Sequence, residues 1–244
     1  MKKNALVTTF YCSNCKKPNI TDIKKKFNYN GKDEDLFINF SDYFDPFNPN
    51  LIPNVGNSKR RDLIYGKIFK LRKFIEDNIS GKYENLLHID FSDTKFVRGF
   101  DELFDKFIES KKNIIISTEK NCWPYIEVVS NWVNKKLEPN EFHFLNSGAI
   151  ISKTEKFLNI LKKLEDLCLS KSIDFWDDQG VWQYYDLMIE TLDKDLNSEY
   201  FFSTAFLDDS YYSIEKGKLK TRFNTYPFII HDNSSFSLNL IKKF

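Results

Sequence analysis

The chain has 244 residues, 41% of them hydrophobic, which is enough for one large domain with a real core. Its 36 Lys and Arg balance 35 Asp and Glu, so there is no electrostatic footprint for a nucleic-acid backbone or an anionic membrane surface. No apolar run approaches the roughly 20 residues of a membrane span, and the start, Lys2-Lys3 and then Asn4 to Phe10, is too short and Thr-rich for a signal peptide. The abundance of Phe, Tyr, Asn, Lys and Ile fits an AT-rich coding sequence such as a viral one and carries no functional weight. Of the four cysteines only Cys12 and Cys15 are close; Cys122 and Cys168 are isolated, so the second pair of a tetrahedral zinc site is missing. Sequons at Asn19, Asn39, Asn78 and Asn233 arise by chance in so Asn- and Ser-rich a chain.

Strand and helix signals alternate along the chain, the pattern of an α/β nucleotide-binding domain. Asn4 to Phe10 predicts a first buried strand and Leu36 to Phe40 a second. The stretch Asn48 to Ser58, with two prolines and a glycine, predicts a mobile loop. From Arg60 to Asn78 the residues Leu63, Ile64, Ile68, Leu71, Phe74 and Ile75 recur at helical spacing, with Gly81 beyond as a stop. Leu86 to Asp90 follows as a central strand, Phe100 to Ser110 as a helix and Asn113 to Ser117 as a fully apolar strand. Phe144 to Ile151 predicts a strand running directly into a helix from Thr154 to Leu169. A helix from Asp178 to Thr191 and a last strand from Pro227 to Ile230 complete the series. No repeat, low-complexity tract or linker divides the chain, so residues 1–244 read as a single domain.

Five short segments carry the chemistry: Asp90-Phe91-Ser92-Asp93, Cys122-Trp123-Pro124, Leu145-Asn146-Ser147-Gly148, Asp177-Asp178-Gln179 and Ile229-Ile230-His231-Asp232-Asn233. The first puts two carboxylates at the carboxyl end of a buried strand, where open α/β sheets bind ligands and metals. In this order the five resemble the glycosyltransferase domain at the amino end of multifunctional procollagen lysyl hydroxylases, over nearly the whole chain. That family has a DxxD pair like Asp90 and Asp93, and an FSAE-type strand end and CWP like Ser117-Thr118-Glu119 and Cys122-Trp123-Pro124. Its LNSGG strand is like Leu145 to Ala149, its acidic run ends in DDQ, and its VVHGNG segment is like Ile229 to Ser234. The resemblance implies a single GT-A, Rossmann-like domain with a mostly parallel central sheet. It also implies UDP-glucose as donor, Mn²⁺, and transfer of glucose to galactosyl-hydroxylysine of a collagen-like polypeptide with retention, here by a stand-alone transferase. Ser92 stands where the family has tyrosine, Ala149 replaces its second glycine, and Asp232 and Ser234 replace both glycines of HGNG.

Chemically, a metal that bridges two phosphate oxygens needs hard ligands and open positions, and Asp90, Asp93 and His231 supply such a set, its imidazole favouring Mn²⁺ over Mg²⁺. The plainer alternative is a strand-ending turn and a satisfied polar histidine. Trp123, in a loop after a buried strand, is either a ring stacked on a sugar or a core aromatic. Asn146 and Gly148 either approach the sugar or mark a strand irregularity. Asp177 and Asp178 either cap a helix or act on the acceptor hydroxyl and the anomeric charge, and either could serve as a nucleophile. Thr8, Thr9, Tyr11, Lys67, Asp90, Ser92, Gly148 and Asn233 form the expected donor-binding set, with Lys67 facing the diphosphate. Galactose transfer to hydroxylysine, a different phosphoryl or nucleotidyl enzyme, and a non-catalytic sugar-binding domain are the competing readings. A homodimer is compatible with the sequence, and the cytoplasm of the producing or host cell is expected ahead of the endoplasmic reticulum.

Overall fold

The computed structural model describes residues 2–11, 18–41, 63–123, 142–170, 177–232 and 240–244. The loop expected at 48–58, Cys12, Cys15, Pro124, Asn233 and Ser234 lie outside these residues.

A five-stranded sheet forms the centre. Its strands are β1 (Lys2–Tyr11), β2 (Leu36–Ser41), β3 (Tyr83–Asp90), β5 (Ile114–Glu119) and β6 (Phe144–Lys153), in the order β2-β1-β3-β6-β5. β1 is parallel to β2 and β3, and β6 is antiparallel to both of its neighbours. Four of the five strands therefore share one direction, and the sheet is mostly parallel as expected. Side chains alternate across it: Ala5, Val7, Leu86, Ile116 and Ile150 enter one core, while Leu6, Leu87, Ile89, Ile115 and Ile151 enter the other. Burial on both faces explains why these strands read as continuous apolar runs.

Helices cover both faces. Helix α1 (Ile20–Phe27) and helix α3 (Phe100–Glu109) bring Ile23, Phe27, Phe104 and Phe107 to one core. Helices α2 (Leu71–Asn78), α4 (Thr154–Leu169) and α5 (Asp178–Met188) bring Leu71, Ile75, Phe157, Leu161 and Trp182 to the other. The helix expected over 60–78 is described from Leu63 and is not uniform. A π-helical segment, Tyr65–Lys70, precedes α2 and buries Gly66, Lys67 and Ile68 together. Such widened turns are frequent at functional sites. α5 stops at Met188 rather than Thr191 because the Asp186 side chain accepts the Leu192 N–H at 2.8 Å and turns the chain.

A second sheet sits beside the first, with β4 (Thr94–Phe96) antiparallel to β10 (Ile229–His231) and β10 parallel to β7 (Phe201–Ser203). β10 begins and ends later than the expected 227–230, so His231 is its last residue. A hairpin of β8 (Tyr212–Glu215) and β9 (Lys218–Thr221) adds to this side, and Phe142, Phe202, Tyr211, Leu219, Ile230 and Leu240 form its core. Among the described residues no helix is long and apolar enough to cross a membrane.

Candidate active site

Asp90 closes β3, and the turn after it is fixed at both ends. The Thr94 hydroxyl donates to the Asp90 carbonyl, and the Asp232 N–H donates to the Asp93 carbonyl at 2.7 Å. Because β4 and β10 pair, with His231 opposite Thr94, the imidazole arrives beside both carboxylates. His231 Nε2 lies 3.5 Å from Asp93 Oδ1 and 3.9 Å from Asp90 Oδ2. One ligand atom from each of the three residues falls within 4.8 Å of the others. Asp90 Oδ1, Asp93 Oδ1 and both His231 ring nitrogens are buried without a hydrogen-bond partner. Buried polar atoms are rarely left so, and one divalent cation could take an oxygen from each carboxylate and one of the two ring nitrogens. The residues present therefore fit a metal centre.

Two neighbours shape this cluster. A Cβ on Gly148 would stand 2.7 Å from both ring nitrogens of His231, so only glycine lets β6 pass the imidazole. Burial disfavours charge on His231, but Asp93 and Asp90 outweigh it and raise its pKa. Burial likewise opposes the Asp93 charge, and His231 and Lys67 more than offset it, holding Asp93 down at about 2.

Lys67 projects from the π-helical segment to the same place. Its Nζ is 2.8 Å from the Asp90 carboxylate and 3.4 Å from Asp178 Oδ2. Burial works against the ammonium, yet Asp178, Asp90 and Asp93 together raise its pKa above the ordinary lysine range. Asp178 also accepts the Ser147 hydroxyl at 2.8 Å. The adjacent carboxylates thus differ in placement: Asp177 is the N-cap of α5 and accepts the Gly180 N–H at 2.9 Å, whereas Asp178 faces Lys67 and Ser147.

Asn146 and Gly148 lie where the β5–β6 register shifts, so strand irregularity and proximity to the site are one feature. Asn146 Oδ1 accepts the Gly148 N–H at 2.8 Å, and its Nδ2 donates to Glu119 at 3.0 Å. Gln179 donates to Glu119 and to the Trp123 carbonyl, and Gln183 donates to that same carbonyl at 3.0 Å. Trp123 is held by its backbone while the residue stays 41% exposed, which excludes the core-aromatic alternative. Glu119, Ser147 and Gln183 were not among the expected site residues. Glu119 had a readable signal, a carboxylate ending an apolar strand, and Gln179 and Gln183 had another, two amides four apart on one helix face.

On the other flank a cleft of about 310 Å³ is lined by Thr9, Phe10, Lys26, Leu63, Lys67, Asp90, Phe91 and Ser92. Thr9 is tied to Asn39 and to His88, each at 3.3 Å, and burial keeps His88 neutral with a pKa of about 4. Thr8 points elsewhere and donates to the Ile89 carbonyl at 2.9 Å. Tyr11 is the last residue of β1, paired with Ser41.

The model of the family described as "PLOD GT domain" matches residues 65–243, well over half of the chain. The chain belongs to this family. It is a glycosyltransferase. The procollagen-lysine,2-oxoglutarate 5-dioxygenase of Drosophila melanogaster is 34% identical over 82 residues, which make up 33% of this chain and 11% of that much longer protein. Mouse xyloside xylosyltransferase 1 superposes with a TM-score of 0.53 at 11% identity, covering 97% of this chain and 99% of the other. The galactosyltransferase LgtC, solved with donor and acceptor sugar analogues, gives 0.53 at 12% identity over 96% and 88%. At such identities these likenesses show the fold alone, which is GT-A. Against the family pattern, Asp232 is the departure with the clearest structural role: it accepts the Thr204 hydroxyl at 2.6 Å and the Ile241 N–H at 3.4 Å, anchoring the carboxyl-terminal segment.

Proposed function

We propose that the chain transfers glucose from UDP-glucose to galactosyl-hydroxylysine of a collagen-like polypeptide, with retention at the anomeric carbon. The observation that carries the reading is the convergence of Asp90, Asp93 and His231 with Lys67 and Asp178 at the carboxyl edge of the sheet. Asp90, Asp93 and His231 would hold Mn²⁺, which when bound supplies Lewis-acid stabilisation to a departing diphosphate. Lys67 adds a fixed positive charge on the same side of the diphosphate, preorganised by its two carboxylate partners. Asn146 and the Gly148 backbone border the sugar, and the exposed Trp123 ring covers it. Asp178, oriented by Ser147, meets the positive charge that builds on the anomeric carbon, either as a nucleophile or by steadying same-face attack of the acceptor hydroxyl. Asp177 sets the direction of α5 and so positions Asp178. The collagen-like acceptor is supported by family membership and by the name of the fly relative, a procollagen-lysine enzyme.

The test is transfer to a galactosyl-hydroxylysine peptide with and without Mn²⁺, alongside UDP-sugar hydrolysis and assignment of the product anomer by NMR. UDP-glucose should be turned over, chelator should abolish it and Mn²⁺ should restore it. Full activity in excess chelator removes the metal. Preference for UDP-galactose with hydroxylysine as acceptor replaces both sugar and acceptor and keeps the class.

A further inference from the structure

The cleft beside Lys67 contains a second lysine that the proposed chemistry does not use. We propose that Lys26 reads the base of the donor nucleotide, its ammonium selecting the 4-keto oxygen of uracil over the 4-amino group of cytosine. This rests on the UDP-sugar reading above and deepens it.

The lining of the cleft is of two kinds. Lys67 and Asp90 adjoin the metal-competent cluster, which suits a diphosphate. Phe10 and Phe91 meet edge to face with ring centroids 4.4 Å apart, and both are only half-buried, an apolar wall of the kind a planar base stacks against. Lys26 stands over Phe91. Its Nζ lies 4.8 Å from the Phe91 ring centroid and donates to the Ser92 carbonyl at 3.0 Å.

The ammonium is also held in place. Helix α1 is capped by Asn19, and its Phe27 packs edge to face on Phe91 at 5.5 Å, so the helix carrying Lys26 and the ring beneath the ammonium move as one. Ser92 lines the cleft and contributes its backbone oxygen to orient the lysine. An ammonium has three donors and no acceptor, so one bond to Ser92 leaves two for a ligand. A keto oxygen accepts such a bond, whereas an amino group at the same ring position places donor against donor.

The experiment is calorimetric titration of UDP and CDP, each with Mn²⁺, into wild type, Lys26→Met and Lys26→Arg, with melting temperatures to confirm folding. Wild type should favour UDP by about tenfold or more, the usual worth of one unpaired polar group. Lys26→Met should bring the two affinities within about threefold of each other, and Lys26→Arg should restore part of the ratio. Loss of discrimination is the readout that a structural lysine would not give. Should Lys26→Met keep the wild-type ratio, or weaken UDP and CDP equally as a phosphate contact would, the base assignment is wrong while the UDP-sugar reading stands. Should wild type bind neither nucleotide, the donor reading fails and takes this inference with it.

Discussion

Gly148→Ala isolates the one place where the strand and the metal-competent cluster compete for space. The added methyl carbon would lie 2.7 Å from Nδ1 and Nε2 of His231 and closer still to the Cε1 between them, so the imidazole must retreat by well over 0.7 Å to regain the 3.4 Å of ordinary contact. His231 is buried with the Asp90 and Asp93 carboxylates at 3.9 and 3.5 Å, so the ring has no free direction. Metal–ligand bonds tolerate about 0.2 Å, and changes in groups that only orient a ligand typically cost about 10–100-fold in affinity. Mn²⁺ affinity, followed by electron paramagnetic resonance, should therefore fall by at least that range. Melting temperature gives an independent sign: glycine in a strand is worse than alanine by about 0.5–1 kcal/mol, so without the clash the variant would be more stable, and with it less. In a His231→Ala background the same substitution should turn from destabilising to stabilising, because its collision partner is gone. A Gly148→Ala protein that binds Mn²⁺ like wild type and melts higher would refute the reasoning.

The acidic pair should separate cleanly. Asp178→Asn keeps the Ser147 bond and removes the charge facing Lys67, so turnover should drop by orders of magnitude with UDP affinity little changed. Asp177→Asn should keep near-wild-type turnover, because asparagine caps a helix about as well; equal losses in the two variants would overturn the division of roles. In the metal-free protein Asp93 contributes stability above its unfolded value of 3.8 and loses it as pH falls towards about 2. His231, with its pKa raised, contributes below its unfolded value of 6.5 and loses it as pH rises through the folded one. The melting difference between wild type and His231→Asn in chelator should thus be largest from about pH 4 to 6.5, and a flat difference would count against the pair. Asp232→Gly removes the acceptor of the Ile241 N–H and the Thr204 bond that orients it, so hydrogen exchange at residues 240–244 should speed up before the rest; unchanged protection would dismiss the anchor.

Much of this site was legible because its residues end long apolar strands. Asp90 and Glu119 close β3 and β5, and the apolar runs before them fix which end of the sheet they occupy. Lys67 was readable too, for it sits on the Ile64, Ile68, Leu71 stripe of a helix where an apolar side chain was due. What the sequence did not disclose are the strands of three or four residues other than β10. β4, β7, β8 and β9 are too short for a period and exist through tertiary pairing. Since β4 holds β10 beside it, the reach of His231 to Asp93 rests on a pairing no local pattern announces. The division of labour between Asp177 and Asp178 was hidden as well, because capping is decided by the dihedrals of one residue.

The reversed direction of β6 has an engineering consequence. Glu119 at the exit of β5 and Phe144 at the entry of β6 are paired residues, so the chain leaves the sheet and returns to it at neighbouring rungs on the rim of the site. Lengthening a connection whose ends are already clasped costs little, about 0.6 kcal/mol for each doubling. The segment that leaves β5 is nevertheless tied back to α5 by the Gln179 and Gln183 bonds to the Trp123 carbonyl, and the one that enters β6 is tied to the smaller core by Phe142, so a change of length between them leaves the register of the strands beneath intact only where those ties are kept.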